Sequence, residues 1–208
     1  MRKVRDYYAK KAKSENYPAR SIYKLEEAQK KYGFLRRGDS VLDIGCFPGS
    51  WSLYAAECVG PKGIVVGVDL QLAKQSPRNE SAPIIWLQHD IRDPEFIVKV
   101  RKIRPFFRAL ISDIAPKTTG NRWTDAQQSL NLVRETLVIA GTVLLPKGHF
   151  FTKVFQGEDF PDLIKSLHDQ FEMVKTLKPK SSRVESREVF VLASGYKKEL
   201  DNFLSGEE

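Results

Sequence analysis

The segment from Ser40 to Asp69 constrains the fold of this chain more than any other. A short apolar run, SVLDI, leads into a turn that contains Gly45, Pro48 and Gly49, and a helical run and a second apolar strand ending at Asp69 follow. Glycines let such a turn pass close to a ligand, and an acid at the tip of the second strand can bind a pair of ribose hydroxyls. The segment therefore predicts a βαβ unit that binds a nucleoside-like cofactor.

The turn itself does not match a dinucleotide site. The dinucleotide fingerprint is G-x-G-x-x-G, whereas the turn from Gly45 to Trp51 reads GCFPGSW. Pro48 also lacks the backbone N–H that a phosphate would use. A ligand with a ribose but no diphosphate fits this turn, and S-adenosylmethionine (SAM) meets that description. The alternative at this point is an α/β domain with an ordinary strand–helix turn.

Composition predicts a cytoplasmic globular protein. The chain has 208 residues, of which 41% are hydrophobic, and this length suits a single core. No apolar run reaches the ~20 residues that a membrane helix needs, and the N-terminus lacks the apolar stretch of a signal peptide. The two cysteines and three histidines stand in no metal-ligand spacing. We therefore expect a monomer with no membrane contact and no metal site.

The positive charge is concentrated at the N-terminus. Residues 1–37 hold 12 Lys or Arg against 4 Asp or Glu, a net charge of +8 that equals the formal charge of the whole chain. Such a segment indicates a polyanionic partner, most often nucleic acid, although a solvated helix face would have the same composition. Tyrosines among the basic residues can stack on bases, and the segment has four: Tyr7, Tyr8, Tyr17 and Tyr23.

Strands and helices alternate along the chain. Apolar runs predict strands at 40–44, 64–69, 84–88, 107–113, 149–155, 171–177 and 188–193. Helical patterns stand before the first strand and between the others up to the sixth, except that a less regular piece at 71–82 joins the second strand to the third. The last two strands are joined by a loop without a helix. This order predicts an α/β fold with a mostly parallel seven-stranded sheet, helices on both faces and an antiparallel hairpin at one edge.

Several ionisable residues occur where a doubly wound sheet binds its ligands. Asp69, Asp90 and Asp113 each come at the carboxyl end of a predicted strand, so they can face one crevice. Lys153 stands among three phenylalanines and a valine in HFFTKVFQG, where a lysine is costly unless it is paired or neutral. A lysine in that position can act as a general base, although an edge-strand lysine in solvent is an equal alternative. Glu188 opens the apolar run EVFVLA.

The chain resembles the FtsJ/RrmJ family of SAM-dependent 2′-O-ribose RNA methyltransferases. The resemblance covers nearly the whole chain and is carried by ARSIYKL (19–25), LDIGCFPGSW (42–51), VVGVDL (65–70), HDIRD (89–93), SDIAP (112–116), KVFQG (153–157) and KPKSSRVESREVFVLA (178–193). It implies a Rossmann-like SAM-dependent methyltransferase domain at 38–197, preceded by a basic helical extension at 1–37 and followed by a tail at 198–208. It departs from the commoner pattern at Ser50, where a glycine is usual, and at Lys117, where an asparagine is usual.

The family's catalytic tetrad falls on Lys24, Asp113, Lys153 and Glu188. By resemblance, Lys153 removes the proton of the target 2′-hydroxyl or holds and polarises that hydroxyl. Lys24 supplies a second cation and holds the substrate phosphate, Glu188 positions the lysines, and Asp113 lies near the sulfonium of SAM. All four positions are present, which argues against an inactive relative.

The family's SAM-binding positions match Gly49, Trp51, Asp69, Asp90 and Asp113. The resemblance implies that Asp69 binds the ribose hydroxyls of SAM and Asp90 accepts from the adenine amino group. Gly49 and Trp51 would lie beside the methionine portion.

The resemblance also implies a substrate, which is a uridine of large-subunit ribosomal RNA within the ribosomal particle. Three alternatives stay open: a methyltransferase for tRNA anticodon loops, a non-catalytic ribosome-assembly factor that binds RNA, and a nicotinamide-dependent oxidoreductase. The absence of G-x-G-x-x-G counts against the last of these.

Overall fold

The computed structural model describes residues 2–182 and 186–198, with side chains from residue 7 onward. Apart from Lys198, the predicted tail at 198–208 lies outside these residues. The elements in chain order are α1 (Arg2–Ser14), α2 (Ile22–Tyr32), β1 (Ser40–Ile44), α3 (Ser50–Val59), β2 (Ile64–Asp69), β3 (Ile84–Gln88), α4 (Phe96–Ile103), β4 (Phe107–Ser112), α5 (Arg122–Val143), β5 (Leu144–Phe155), α6 (Phe160–Gln170), β6 (Phe171–Leu177) and β7 (Glu188–Tyr196).

The described strands form one sheet in the order β3-β2-β1-β4-β5-β7-β6. Strands β1 to β5 run parallel, and β7 is antiparallel to both of its neighbours, β5 and β6. The predicted α/β fold, with a mostly parallel seven-stranded sheet and an antiparallel pair at one edge, is confirmed. The reversed strand, β7, lies one position in from that edge. Strand β7 is buried along nearly its whole length. Most residues of β6 are exposed, as expected of an outermost strand.

Helices cover both faces of the sheet, as predicted. On one face, Leu25 of α2 and Trp51 of α3 pack against Phe151 of β5. On the other, α4, α5 and α6 pack against the sheet, where Leu137 and Phe150 belong to one core cluster. Neighbouring Phe150 and Phe151 point to opposite faces because side chains alternate along a strand. Within the described ranges, no helix is both long and apolar enough to cross a bilayer.

The second helix begins later than its sequence suggests. Pro18 suits the first position of a helix, but α2 begins at Ile22. The intervening backbone is used in contacts with α3: the Ala19 N–H donates to Ser50 Oγ at 2.8 Å, and the Ser21 carbonyl accepts from Trp51 Nε1 at 2.9 Å. These contacts fix the entry to α2 against the helix that follows the glycine turn.

The turn after β1 comes very close to the loop after β4. Gly45 has φ +76°, and a Cβ on it would lie 3.0 Å from the Cα of Ile114. Its N–H donates to the Val68 carbonyl at 2.8 Å. Glycine is therefore required at this position, both for the left-handed backbone and for the close approach. The contact holds the carboxyl ends of β1, β2 and β4 around one opening.

Candidate active site

A cavity of about 740 Å³ opens at the carboxyl ends of the parallel strands. Asp69 at the end of β2, Asp90 after β3 and Asp113 after β4 all line it. The prediction that these three acids face one crevice is confirmed. The rest of the lining is mixed, with the exposed Phe47 and Leu70 near the turn and Asn131 and Glu135 from α5.

Backbone N–H groups fix the carboxylate of Asp69. Its Oδ2 accepts from the Phe47 N–H at 3.1 Å, and its Oδ1 accepts from the Gln71 N–H at 2.9 Å. Asp90 is held in a similar way, because its Oδ1 accepts from the Arg92 N–H at 2.9 Å. Each carboxylate oxygen can accept more than one hydrogen bond, so both acids keep acceptor capacity for a ligand in the cavity.

The first ion pair of the tetrad joins Lys153 and Asp113. Lys153 Nζ donates to Asp113 Oδ1 at 2.7 Å and to the Asp113 backbone carbonyl oxygen at 2.5 Å. The Lys153 side chain is 7% exposed and that of Asp113 is 19% exposed. Lys153 is therefore a buried and paired lysine, and the alternative of an edge-strand lysine in solvent is excluded.

The second ion pair joins Lys24 of α2 to Glu188 at the start of β7. Lys24 Nζ lies 2.8 Å from Glu188 Oε2, and both side chains are nearly buried. The other oxygen, Oε1, accepts from Ser182 Oγ at 2.9 Å. Ser182 was not singled out from the sequence, since its contact depends on how the loop before β7 folds back.

The register of the sheet brings the two pairs to the same face. Lys153 is the cross-strand partner of Phe190, and Phe155 is the partner of Glu188. Residues two apart on a strand share a face, so Lys153 and Glu188 project on the side that α2 covers. Lys24 Nζ also lies 5.4 Å from the centre of the Phe190 ring. The structure thus gathers the four tetrad positions where β4, β5, β7 and α2 meet.

Asp43, on β1, lies in the core behind the cavity. It is fully buried and accepts from Ser52 Oγ at 2.6 Å, while its Oδ1 has no hydrogen-bond partner. Burial raises the pKa of Asp43 to about 7, with a further contribution from the nearby Asp113 and Asp69 carboxylates. The sequence showed an acid in an apolar strand here, but its burial could not be read from that pattern.

Gly49 and Trp51 do not line the cavity. Trp51 is 2% exposed, and its ring stacks on Phe151 with the ring centres 5.4 Å apart. Gly49 has φ +111°, and a Cβ on it would lie 2.9 Å from Gln75 Oε1. In the described structure both residues shape the turn and the start of α3. Their contact with a cofactor stays a prediction.

The N-terminal tyrosines have different environments. Tyr17 and Tyr23 are buried, and each donates its hydroxyl to an acid, Glu57 and Glu15 respectively. Burial, together with the Glu57 hydrogen bond, raises the pKa of Tyr17. These two rings serve the packing of α1, so the suggestion that they stack on bases is wrong for them. Tyr7 is 60% exposed.

Known proteins resemble this chain over nearly its full length. Residues 17–196 match the family described as FtsJ-like methyltransferase. The ribosomal RNA large subunit methyltransferase E of Desulfotalea psychrophila is 66% identical over 95% of this chain and 98% of its own length. A protein of the same name from Nitratidesulfovibrio vulgaris is 48% identical over 95% of this chain and 97% of its own.

Solved structures share the fold. A ribosomal RNA methyltransferase from Plasmodium falciparum superposes with a TM-score of 0.75, at 26% identity, over 88% of this chain and the whole of that one. Fibrillarin from Aeropyrum pernix, solved with natively bound SAM, has a TM-score of 0.55 at 19% identity and covers 83% of this chain and 76% of its own. At that identity, the fibrillarin likeness speaks for the fold alone.

Proposed function

Since this chain belongs to the FtsJ-like methyltransferase family, we propose that it transfers a methyl group from SAM to a ribose 2′-hydroxyl of large-subunit ribosomal RNA. The observation that carries the proposal is the buried Lys153–Asp113 pair, which lies where the acid-lined cavity meets the face that α2 covers. The substrate follows from the names of relatives that are 66% and 48% identical.

The residues around the cavity fit SAM. A volume of about 740 Å³ lies within the ~300–1,000 Å³ of small-molecule sites. Asp69 offers anchored carboxylate oxygens to a pair of ribose hydroxyls, and Asp90 offers an acceptor to an exocyclic amine. Asp113 at the far side brings negative charge to a sulfonium.

In this proposal Lys153 takes the proton of the ribose hydroxyl. Apart from its bond to the side chain, Nζ has three bonding directions, and two of them point to Asp113 oxygens. The third is left for the substrate, and in the neutral amine it is a lone pair. When bound, SAM supplies a methyl group whose S–C bond breaks as the ribose oxygen forms the new O–C bond, and S-adenosylhomocysteine leaves. Lys153 first releases one proton of the ion pair to solvent, the hydroxyl proton then passes to the neutral Nζ, and Asp113 stabilises the ammonium that forms again.

Lys24 and Glu188 hold the other side of the site. A cation beside an acid and an aromatic ring, Phe190, has a fixed position, so Lys24 can bind a substrate phosphate without a large loss of side-chain entropy. Glu188, held by Lys24 and Ser182, acts as a positioning residue. In this arrangement much of the rate comes from alignment of the hydroxyl with the methyl group.

RNA binding is assigned to the basic N-terminal segment. Lys10 and Lys13 of α1 are exposed, whereas Ala12 is buried in a cluster with Ile22 and Leu53. The helix therefore presents its charges from a surface that is docked on the domain, and phosphate contacts from there supply affinity independent of sequence.

Transfer of labelled methyl from SAM to three substrates tests the proposal. The substrates are large ribosomal subunits that lack the modification, total rRNA freed of protein, and bulk tRNA. We expect label in the subunits. Label in tRNA alone would keep the chemistry and overturn the substrate, and SAM binding without transfer to any of the three would favour an assembly factor.

A further inference from the structure

Trp123 is the most exposed aromatic side chain among the described residues. It is 61% exposed and lies in the first turn of α5, at the same edge of the sheet as the tetrad. A large apolar ring in solvent loses the hydrophobic gain of burial, and exposed apolar groups beside a polar rim often mark binding sites. Nothing in the chemistry proposed above uses this ring.

The backbone under Trp123 is firmly held. Asn121 caps α5 by accepting from the Trp123 and Thr124 N–H groups, at 3.0 Å each. Asp125 accepts from the backbone N–H and the hydroxyl of Thr119, at 2.7 and 2.9 Å. The loop before the helix and the first helical turn are thus tied together, and the ring is presented from a rigid base. Pre-organisation of this kind lowers the entropy cost of binding.

A small cleft lies beside the ring. It has a volume of about 170 Å³, and its lining includes Trp123, Ala126 and Gly157. This is below the ~300 Å³ at which small-molecule sites begin. The cleft accommodates one flat ring against Trp123 while the rest of the ligand stays outside. Its walls admit little more, because a Cβ on Gly157 would lie 2.9 Å from the Cβ of Ala126.

The charges around the cleft select the ligand. Two arginines, Arg122 and Arg187, line it together with one acid, Glu158, and all three are exposed. Arg187 Nη1 donates to the Arg122 carbonyl oxygen at 3.2 Å, which joins the loop before β7 to the start of α5. An aromatic wall with a net positive rim suits a nucleobase with an attached phosphate.

The cleft adjoins the tetrad along the chain and in space. Arg187 directly precedes Glu188, and its carbonyl accepts from the Gln156 N–H at 3.0 Å, one residue before Gly157. Gly157 is four residues beyond Lys153, a span on the order of 13 Å in an extended chain. That distance is too long for the target nucleotide itself and reaches a nucleotide that flanks it. α2 and α5 lie on opposite faces of the sheet, so an RNA strand crosses the tetrad between them.

We propose that Trp123 is a stacking platform for a base that flanks the methylated nucleotide, with Arg122 and Arg187 on the adjoining phosphates. The inference rests on the proposed function, since it takes RNA as the substrate. It adds a subsite that lies outside the tetrad and outside the SAM cavity.

The test compares Trp123→Ala, Trp123→Phe and Arg122→Gln with Val138→Ala. Val138 lies on the same helix and is 71% exposed, so it controls for loss of an exposed apolar group. Binding to unmodified large ribosomal subunits is measured over a range of salt concentrations, with SAM affinity measured in parallel. Loss of one stacked base corresponds to roughly 5- to 150-fold in affinity.

We expect Trp123→Ala to weaken RNA binding within that range with an unchanged salt slope, and Trp123→Phe to stay within a few-fold of wild type. Arg122→Gln should lower the slope by about one. SAM affinity should not move in any variant. A short oligoribonucleotide should quench tryptophan fluorescence in the wild type, and the quenching should be lost in Trp123→Phe.

The inference is overturned if Trp123→Ala binds RNA as tightly as Val138→Ala, or if quenching persists unchanged in Trp123→Phe. A failure of the proposed function would look different. In that case the wild type itself would place no methyl group on ribose, whatever the Trp123 variants do to RNA affinity.

Discussion

Lys153 Nζ contacts Asp113 twice, at 2.7 Å through the carboxylate oxygen Oδ1 and at 2.5 Å through the backbone carbonyl oxygen. The two residues are 40 positions apart and come from the ends of neighbouring parallel strands, β4 and β5. The double contact fixes the amine in one position and orients the Asp113 backbone beside the cavity. It therefore connects the acid-lined cavity, where we propose that the methyl donor binds, to the amine that we propose activates the hydroxyl.

Replacing Lys153 tests its role as the base. Lys153→Ala should lower methyl transfer by at least ~10²-fold, the lower end of what a general base contributes. SAM affinity should stay within a few-fold, because Lys153 does not line the cavity. Lys153→Arg keeps a cation beside Asp113 but offers no group that can deprotonate, so it should be equally inactive. Lys175→Ala, at an exposed lysine on β6, is the control, and strong residual turnover in either Lys153 variant would contradict the assignment.

Replacing Asp69 tests the cofactor site. Asp69→Ala removes the carboxylate that we propose accepts from the ribose hydroxyls, and with it the partner of the Phe47 and Gln71 N–H groups. Hydrogen bonds to a charged group contribute about 1.5–3 kcal/mol, so SAM affinity measured by calorimetry should fall about 10- to 100-fold while RNA affinity is unchanged. Asp162→Ala, at an exposed acid on α6, should change neither. An unaltered SAM affinity in Asp69→Ala would place the ribose elsewhere.

Two buried groups give the stability opposite dependences on pH. Burial raises the pKa of Asp43 from 3.8 to about 7. Between these two pH values the folded state holds a proton on Asp43 that the unfolded chain has lost. The stabilisation of the folded state by this proton is full below pH ~4 and is lost as the pH rises through 7. Burial, with Arg108 and Arg36 nearby, lowers the pKa of His149 from 6.5 to about 4. The contribution of the neutral His149 to the free energy of unfolding is full above pH ~6.5 and is lost as the pH falls through 4.

The two slopes oppose each other between about pH 4 and 6.5, and single variants separate them. Relative to wild type, the free energy of unfolding of Asp43→Asn should rise with pH across this window, by up to ~1.4 kcal/mol per pH unit. That of His149→Gln should fall with pH. Urea denaturation at pH 4.5 to 8 measures the free energy of unfolding of both variants. If each variant's plot of this free energy against pH runs parallel to that of wild type, the two groups titrate alike in the folded and unfolded chain, which contradicts the prediction.

Neutralising two lysines of α1 tests the basic segment. Deleting the segment would also remove the buried Ala12 and Tyr17, so Lys10→Gln with Lys13→Gln is the cleaner change. We expect weaker RNA binding and a salt slope that is lower by up to ~1.5, because each phosphate contact releases counterions. Lys62→Gln with Lys102→Gln removes the same charge at two exposed lysines that precede β2 and β4. Equal slopes in the two double variants would mean that α1 does not contact RNA.

The sequence predicted the sheet because its strands are long apolar runs that end in acids. Asp69 and Asp113 could be assigned to one crevice without coordinates, since the carboxyl ends of parallel strands share an edge. The contrast between Lys153 and its apolar neighbours also indicated a buried, paired lysine as one of two options. The family resemblance, carried by many short motifs, is confirmed over nearly the whole chain.

Contacts between distant segments could not be predicted in this way. The Lys24–Glu188 pair joins residues 164 positions apart, and its geometry depends on how α2 is docked. The motif places Trp51 beside the cofactor, which stays a prediction, but it does not show that the Trp51 ring stacks on Phe151 in the core. Composition likewise suggested that Tyr17 stacks on RNA bases, whereas in the structure its ring is buried and its hydroxyl donates to Glu57. In each case packing, which a local pattern does not record, determines the outcome.

The central claim is that the methyl group goes to a ribose oxygen, and alkaline hydrolysis of the methylated RNA tests it most directly. Alkali cleaves RNA through the 2′-hydroxyl, so a 2′-O-methylated nucleotide stays joined to its 3′ neighbour. With labelled SAM and unmodified large ribosomal subunits, we predict label in alkali-resistant dinucleotides for the wild type and none for Lys153→Ala. Label that appears only in mononucleotides would place the methyl group on a base and contradict the account.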